Sequence, residues 1–192
     1  MADVPMPGEF TTYLSYVIGI VRPGRARPFF PVHTNEPGSL DTWSAEDLGL
    51  VIDEGRRQLD AQSGMLGDLR SRAQWLVTIA IPVIVAIAST QPTIWTGRCV
   101  LKLLWVAGIT LTAYGLLGSV AIMTVRVDFG SIDTAKLSTF ETDQKRGLAS
   151  AFTRSVRTGA NTNATLVTLF RQSVFWFVIG GACGLVAWII AR

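Results

Sequence analysis

The chain of 192 residues is 49% hydrophobic and 16% charged, with a formal net charge of +3. Soluble domains carry roughly 25% charged residues, and the deficit here is concentrated in three uncharged runs, which argues against an ordinary soluble fold. A disulfide framework and a structural zinc lack support too: Cys99 and Cys183 belong to no CxxC or Cys/His cluster, and His33 is the single histidine.

Residues 1–43 read as an irregular segment, because "RPGRARPFFP" and "NEPGSL" are rich in the helix breakers Pro and Gly. Within it, residues 10–21, "FTTYLSYVIGIV", suit either a short strand or an interfacial helix. This apolar patch follows Glu9 rather than a basic stretch, so no cleavable signal peptide is expected. Phe29 and Phe30 stand beside Arg22, Arg25 and Arg27, a mixture of rings and cations that favours lipid headgroups. The competing reading is a poorly ordered tail.

Regular structure starts at "TWSAEDLGL", where Ser44 and Asp47 have the spacing of a capping box. Leu48, Ile52, Gly55, Leu59, Gln62, Leu66, Leu69 and Ala73 then recur at alternating steps of four and three. That is a heptad stripe, interrupted by Gly55 and Gln62. The opposite face carries Asp53, Arg56, Arg57, Asp60, Asp68 and Arg70. Residues 44–72 therefore read as a cytoplasmic heptad helix that needs a packing partner.

Ala73–Gly97 is the first uncharged run, at 25 residues; Leu103–Val125 follows with 23 and Gln172–Ala191 with 20. A bilayer core about 30 Å thick needs about 20 apolar helical residues. Three transmembrane helices follow, with residues 73–125 as a hairpin (spans about 74–92 and 103–125) and 172–192 as the third. A soluble all-helical core is the competing reading, although soluble helices seldom run this long without a charge. No Gly or Pro separates Arg70 and Arg72 from Trp75, so the heptad helix should enter the membrane in phase. A single helix over 44–90 would extend about 70 Å, with a kink expected near Thr78 from Pro82. "STQPTIWTG" makes the turn between the first two spans.

Residues 126–171 read as a second cytoplasmic helical segment. Phe129-Gly130 marks a break and Ser131 a cap. "ETDQKRGLASAFTRSV" places Leu148, Ala151, Phe152 and Val156 on one face, which would partner the heptad helix. "TGANTNAT" at 158–165 breaks the pattern or is a weak point in a longer helix. The fold class expected is an all-α membrane protein, with three transmembrane helices and a cytoplasmic helical bundle formed by extensions of the spans.

Lys and Arg are retained on the cytoplasmic side. Eleven of them lie just before span one or between spans two and three, against three in the Arg98–Lys102 turn and at Arg192. The expected location is the inner (plasma) membrane, multi-pass, with the N-terminus cytoplasmic and the C-terminus outside. Arg70, Arg72, Trp75, Arg126 and Arg171 are the interface anchors of this topology.

Catalytic motifs are missing: no GxxxxGK[ST], HExxH, GxSxG or GxGxxG occurs. No catalytic, cofactor-binding or metal residue is assigned, and no enzyme activity is expected. Asp133, Glu141 and Asp143 could hold a cation, but acids also simply favour helix starts. The basic set Lys145, Arg146, Arg154, Arg157 and Arg171 suits an acidic ligand such as a nucleotide or, more simply, anionic lipid. No nucleic-acid partner is expected. Span interiors hold no ionisable residue, which weighs against a pump or coupled transporter. Gly115 with Ser119, and Gly180 with Gly184, have close-packing spacing. They pack the monomer or drive self-association.

The long helix "EGRRQLDAQSGMLGDLRSRAQWLVTIA", a short-looped hairpin and a further helical segment together resemble the layout of small bacterial transmembrane effectors, the SLATT-type and Pycsar-type, over roughly residues 45–160. The resemblance implies oligomerisation and membrane disruption on binding a nucleotide signal. The third span and the Pro-rich N-terminus depart from the two-span pattern, and no ligand motif matches. Two functions are therefore expected to compete: an oligomeric interaction or scaffold subunit embedded in the lipid bilayer and serving a membrane complex, and a membrane-perturbing effector or small channel gated by a cytoplasmic signal.

Overall fold

The computed structural model describes residues 8–21, 40, 42–95, 98–125 and 144–191. Five helices occur among them: α1 (Glu9–Val21), α2 (Ala45–Ser89), α3 (Gln91–Trp95), α4 (Cys99–Thr124) and α5 (Gln144–Ala191). No strand occurs among the described residues. Of the helices, α2, α4 and α5 are long and apolar enough to cross a membrane. Arg126, Ser131, Asp133, Glu141, Asp143 and the Phe29–Phe30 patch lie outside the described residues, and so do the expectations placed on them.

Of the two forms expected for residues 10–21 within the segment 1–43, the helix occurs: Glu9–Val21 is helical. Its Thr12, Tyr13, Tyr16 and Val17 are buried while Phe10 and Leu14 are exposed, the one-sided pattern of a docked helix. Helix α2, which contains the first expected span, ends at Ser89. There the Thr90 amide and hydroxyl both donate back to the Ile87 carbonyl, at 3.2 and 2.6 Å, which closes the helix end.

"TGANTNAT" does not break α5, which runs from Gln144 through Ala191. Its threonines donate to their own helix: Thr158 to the Arg154 carbonyl at 3.1 Å, Thr162 to Thr158 at 2.8 Å and Thr165 to Asn161 at 2.8 Å. Such bonds satisfy the hydroxyls within the helix. Helix α2 likewise continues through Pro82.

The chain divides into two compact units. Described residues of the first are 40, 42–68 and 144–165. Helix α2 begins with the capping box: the Ser44 hydroxyl donates to an Asp47 carboxylate oxygen at 2.6 Å, and the Asp47 amide donates to the Ser44 hydroxyl at 3.2 Å. Leu48 and Ile52 of α2 form a core with Ala149 and Phe152 of α5, flanked by Leu40, Val51, Leu59 and Leu148. On α5 the buried positions Phe152, Ser155, Gly159 and Thr162 step by three and four, so this pair keeps coiled-coil spacing on both helices.

The second unit contains residues 8–21, 69–95, 98–125 and 166–191 among those described. Its outward face is apolar. Phe175, Val178, Leu185 and Ile189 on α5 are each more than half exposed, as are Ile79, Ile81 and Val85 on α2. Water would penalise a surface of this composition, whereas hydrocarbon would not.

Candidate functional site: packing seams and anchors

Helix α4 buries Gly108, Thr112, Gly115 and Ser119 along one stripe, and α5 meets it with Ser173, Gly180 and Gly184. A Cβ on Gly108 would stand 2.9 Å from the Gly184 amide nitrogen and 3.1 Å from the Gly180 carbonyl oxygen. One on Gly115 would stand 2.7 Å from the Ser173 carbonyl oxygen. One on Gly184 would meet the Ile87 side chain of α2 at 2.6 Å. Backbones thus touch where side chains are smallest, which is how helices associate without a hydrophobic driving force. Thr112, Ser119 and Ser173 donate to carbonyls four residues back, at 2.7, 3.3 and 2.9 Å. These hydroxyls are buried in the seam and satisfied within their own helices. Both small-residue pairs singled out in the sequence are therefore occupied inside one chain.

Helix α1 braces this seam. The Tyr13 hydroxyl donates to the Tyr114 carbonyl at 2.7 Å, and the two rings meet edge-on at 5.0 Å. Phe10 and Tyr114 both pack edge-on against Trp176, at 6.3 and 5.8 Å. Opposite Tyr13 lies Gly118, where any Cβ would collide with the Tyr13 phenol and the Ser173 hydroxyl. Burial pushes the Tyr13 phenol up to about 12, so it remains a neutral donor at every physiological pH. At the start of α1, Glu9 accepts from Gln172 at 3.1 Å and stands 3.9 Å from Arg171.

The residues expected as interface anchors have distinct surroundings. Arg70 donates to the Val125 carbonyl at 3.0 Å, a cation at the C-terminal end of α4 where the helix dipole favours positive charge. Arg72 is exposed, and Trp75 is exposed on the helix surface that leads into the span. Arg171 is largely exposed beside Glu9.

In the first unit the two interruptions of the heptad stripe are its most specific contacts. Gly55 receives Phe152, whose Cβ would stand 2.9 Å from a Cβ there. Gln62 donates through Nε2 to the Val156 carbonyl at 3.0 Å, and Asn163 donates through Nδ2 to the Gln62 carbonyl at 3.1 Å. These crossed bonds lock one register between α2 and α5.

Sequence reasoning left α1 open between a strand and a helix, and missed its buried face with Tyr13, the seam partners Gly108, Thr112 and Ser173, and the Asn163 bond. The spacing of Thr12, Tyr13, Tyr16 and Val17 was the available signal for the first. Among the described residues no group of His, Cys, Asp and Glu is placed to hold a metal. Searches with family models, curated proteins and solved structures find no match to this chain.

Proposed function

We propose that this protein is an integral inner-membrane interaction subunit. Three spans anchor it, and its water-exposed helix pair holds a helix of a partner or of a second copy. The observation that carries this reading is a second face on α2. Leu50, Glu54, Arg57, Ala61, Met65 and Asp68 recur at steps of three and four and are all exposed, on the side away from the buried heptad stripe. Leu50 is 66% and Met65 46% exposed, and between them Arg57 pairs with Glu54 at 3.0 Å. Hydrogen bonds from Gln58 and Arg57 hold the Glu54 carboxyl below its ordinary value. Apolar anchors set among charges are what a helical partner surface uses.

The positive-inside bias supports an arrangement with this helix pair in the cytoplasm, the Arg98 turn outside and the C-terminus outside. Capture from native membranes tests the function. The intact chain should recover a partner or a second copy in constant ratio, and Leu50→Lys with Met65→Lys should abolish recovery. An unchanged ratio with the double variant would end the reading.

A second reading is a membrane effector gated by a cytoplasmic signal such as a nucleotide, as the SLATT-type and Pycsar-type resemblance implies. Its support is the solvated Glu9–Arg171 ion pair at the start of α1, a weak contact that a charged ligand would compete for, while Tyr13 holds the rest of that helix. Dye-loaded liposomes carrying the protein should then leak on addition of a cyclic nucleotide. Tight liposomes across a nucleotide panel would remove this reading.

A further inference from the structure

The three glycines near the end of α5 have unequal surroundings. Gly180 and Gly184 are closed over by α4 and α2, whereas a Cβ on Gly181 would meet nothing within 4 Å. Gly181 opens onto a groove of about 440 Å³ between the ends of α2 and α5, within the roughly 300–1,000 Å³ range of ligand sites. Val83, Ala86 and Ile87 form one wall, and Leu185 and Trp188 the other. Ser89 and Thr90 stand at its end, but their hydroxyls already donate to the Ala86 and Ile87 carbonyls at 2.7 and 2.6 Å. The groove therefore offers a ligand almost pure hydrocarbon.

The turn that joins α2 to α4 carries positive charge and indole. Trp105 donates from Nε1 to the carbonyl of the lining residue Ile87 at 2.8 Å. Its ring stands 6.4 Å from that of Trp95, and the Lys102 ammonium lies 5.5 Å from the Trp95 ring centroid. Arg98, one turn before Lys102, is exposed. Tryptophan and lysine mark the headgroup level of a bilayer, and the outward surface flanking the groove is the apolar face already described.

We propose that this groove binds one acyl chain of an anionic glycerophospholipid, with the lipid phosphate held at the Arg98–Lys102 end. Charge complementarity selects the anionic headgroup, and the bare Gly181 backbone gives the chain its depth. The proposal rests on the membrane-spanning reading of α2, α4 and α5, and not on the partner-binding function.

Native mass spectrometry of the delipidated protein, titrated with dipalmitoyl phosphatidylglycerol or dipalmitoyl phosphatidylcholine, provides the test. The intact chain should take up one phosphatidylglycerol in preference to phosphatidylcholine. Gly181→Leu, whose side chain enters open space, should bind it at least about tenfold more weakly. Arg98→Gln with Lys102→Gln should remove the headgroup preference. Equal phosphatidylglycerol binding by Gly181→Leu would overturn the proposal, and so would a groove filled by a second copy, seen as lipid-free dimers that Gly181→Leu dissociates.

Phosphatidylglycerol with brominated chains gives a readout independent of the glycine variant. It should quench the intact protein saturably, and Trp188→Phe should remove that component. Quenching that never saturates would overturn the proposal. Alkaline carbonate extraction separates the two failures. Release of the protein from membranes would sink the spanning reading, whereas retention without saturable lipid binding would sink the groove alone.

Discussion

Gly108 and Gly184 meet backbone against backbone: a side-chain carbon on the first would lie 2.9 Å from the amide nitrogen of the second. This approach fixes how closely α4 and α5 pack. It also assigns the GxxxG pair of α5 to the inside of one chain. Gly108→Leu should therefore destabilise the fold by about 1–3 kcal/mol, the usual cost of overpacking a tight contact, while Gly181→Leu should leave stability within about 0.5 kcal/mol. Thermal unfolding in a mild detergent compares the two. Equal losses would mean that the seam is not the point of closest contact.

Gln62 and Asn163 form a hydrogen-bonded node in the seam between α2 and α5. Asn163→Leu alone should cost about 0.5–1.5 kcal/mol, because it removes the added bond to the Gln62 carbonyl. Gln62→Leu removes a separate bond, to the Val156 carbonyl, and leaves the Gln62 carbonyl in place. The two losses should therefore add to within about 0.5 kcal/mol in a double-mutant cycle on thermal unfolding. A larger coupling would show that the two side chains position one another.

Tyr13 ties α1 to α4 through a hydroxyl on the Tyr114 carbonyl. Tyr13→Phe keeps the ring contacts and removes the bond, a loss of about 0.5–1.5 kcal/mol. Gly118→Ala should do more, since the added methyl occupies the place of the Tyr13 phenol. Hydrogen exchange along α1 reads both variants, with faster exchange expected for Gly118→Ala. Unchanged exchange in both would detach α1 from the seam.

The topology carries a chemical test of its own. Cys99 is exposed at the start of α4, and Cys183 is half-buried on α5. With Cys183→Ser in place, a membrane-impermeant maleimide should label Cys99 on intact cells. A cysteine placed by Lys145→Cys in a chain lacking both native thiols should label only after lysis. The reverse pattern would invert the protein in the membrane.

Much of this architecture was legible in the sequence, because hydrocarbon and water impose strong patterns. The uncharged runs give the three long apolar helices, and the Ser44–Asp47 spacing forms the capping box. Every position of the heptad stripe from Leu48 to Ala73 is buried or half-buried. Residues 10–21 were left open between a strand and a helix, because a short apolar run suits both periods; the helix of Glu9–Val21 is fixed by the face it docks. The continuity of α5 was obscured because Ser155, Gly159 and Thr162 occupy positions where a stripe is sought by its apolar residues. Which small-residue face meets which is a tertiary property, and spacing alone does not distinguish a contact within the chain from one between chains. The groove at Gly181 was invisible for the same reason: GG reads as one small patch, yet one glycine is covered and its neighbour is open.

The second face of α2 is the basis of the proposed function, and a photo-crosslinking residue at position 50 reads it most directly. In intact cells, a benzophenone side chain replacing Leu50 should form one discrete adduct with a partner polypeptide or a second copy of the chain. The same group replacing Ile79, on the apolar face of α2, should form adducts with lipid alone. Absence of any polypeptide adduct from position 50, with Ile79 labelling lipid as expected, would contradict the account: the chain would be a membrane anchor with no partner on its exposed helix.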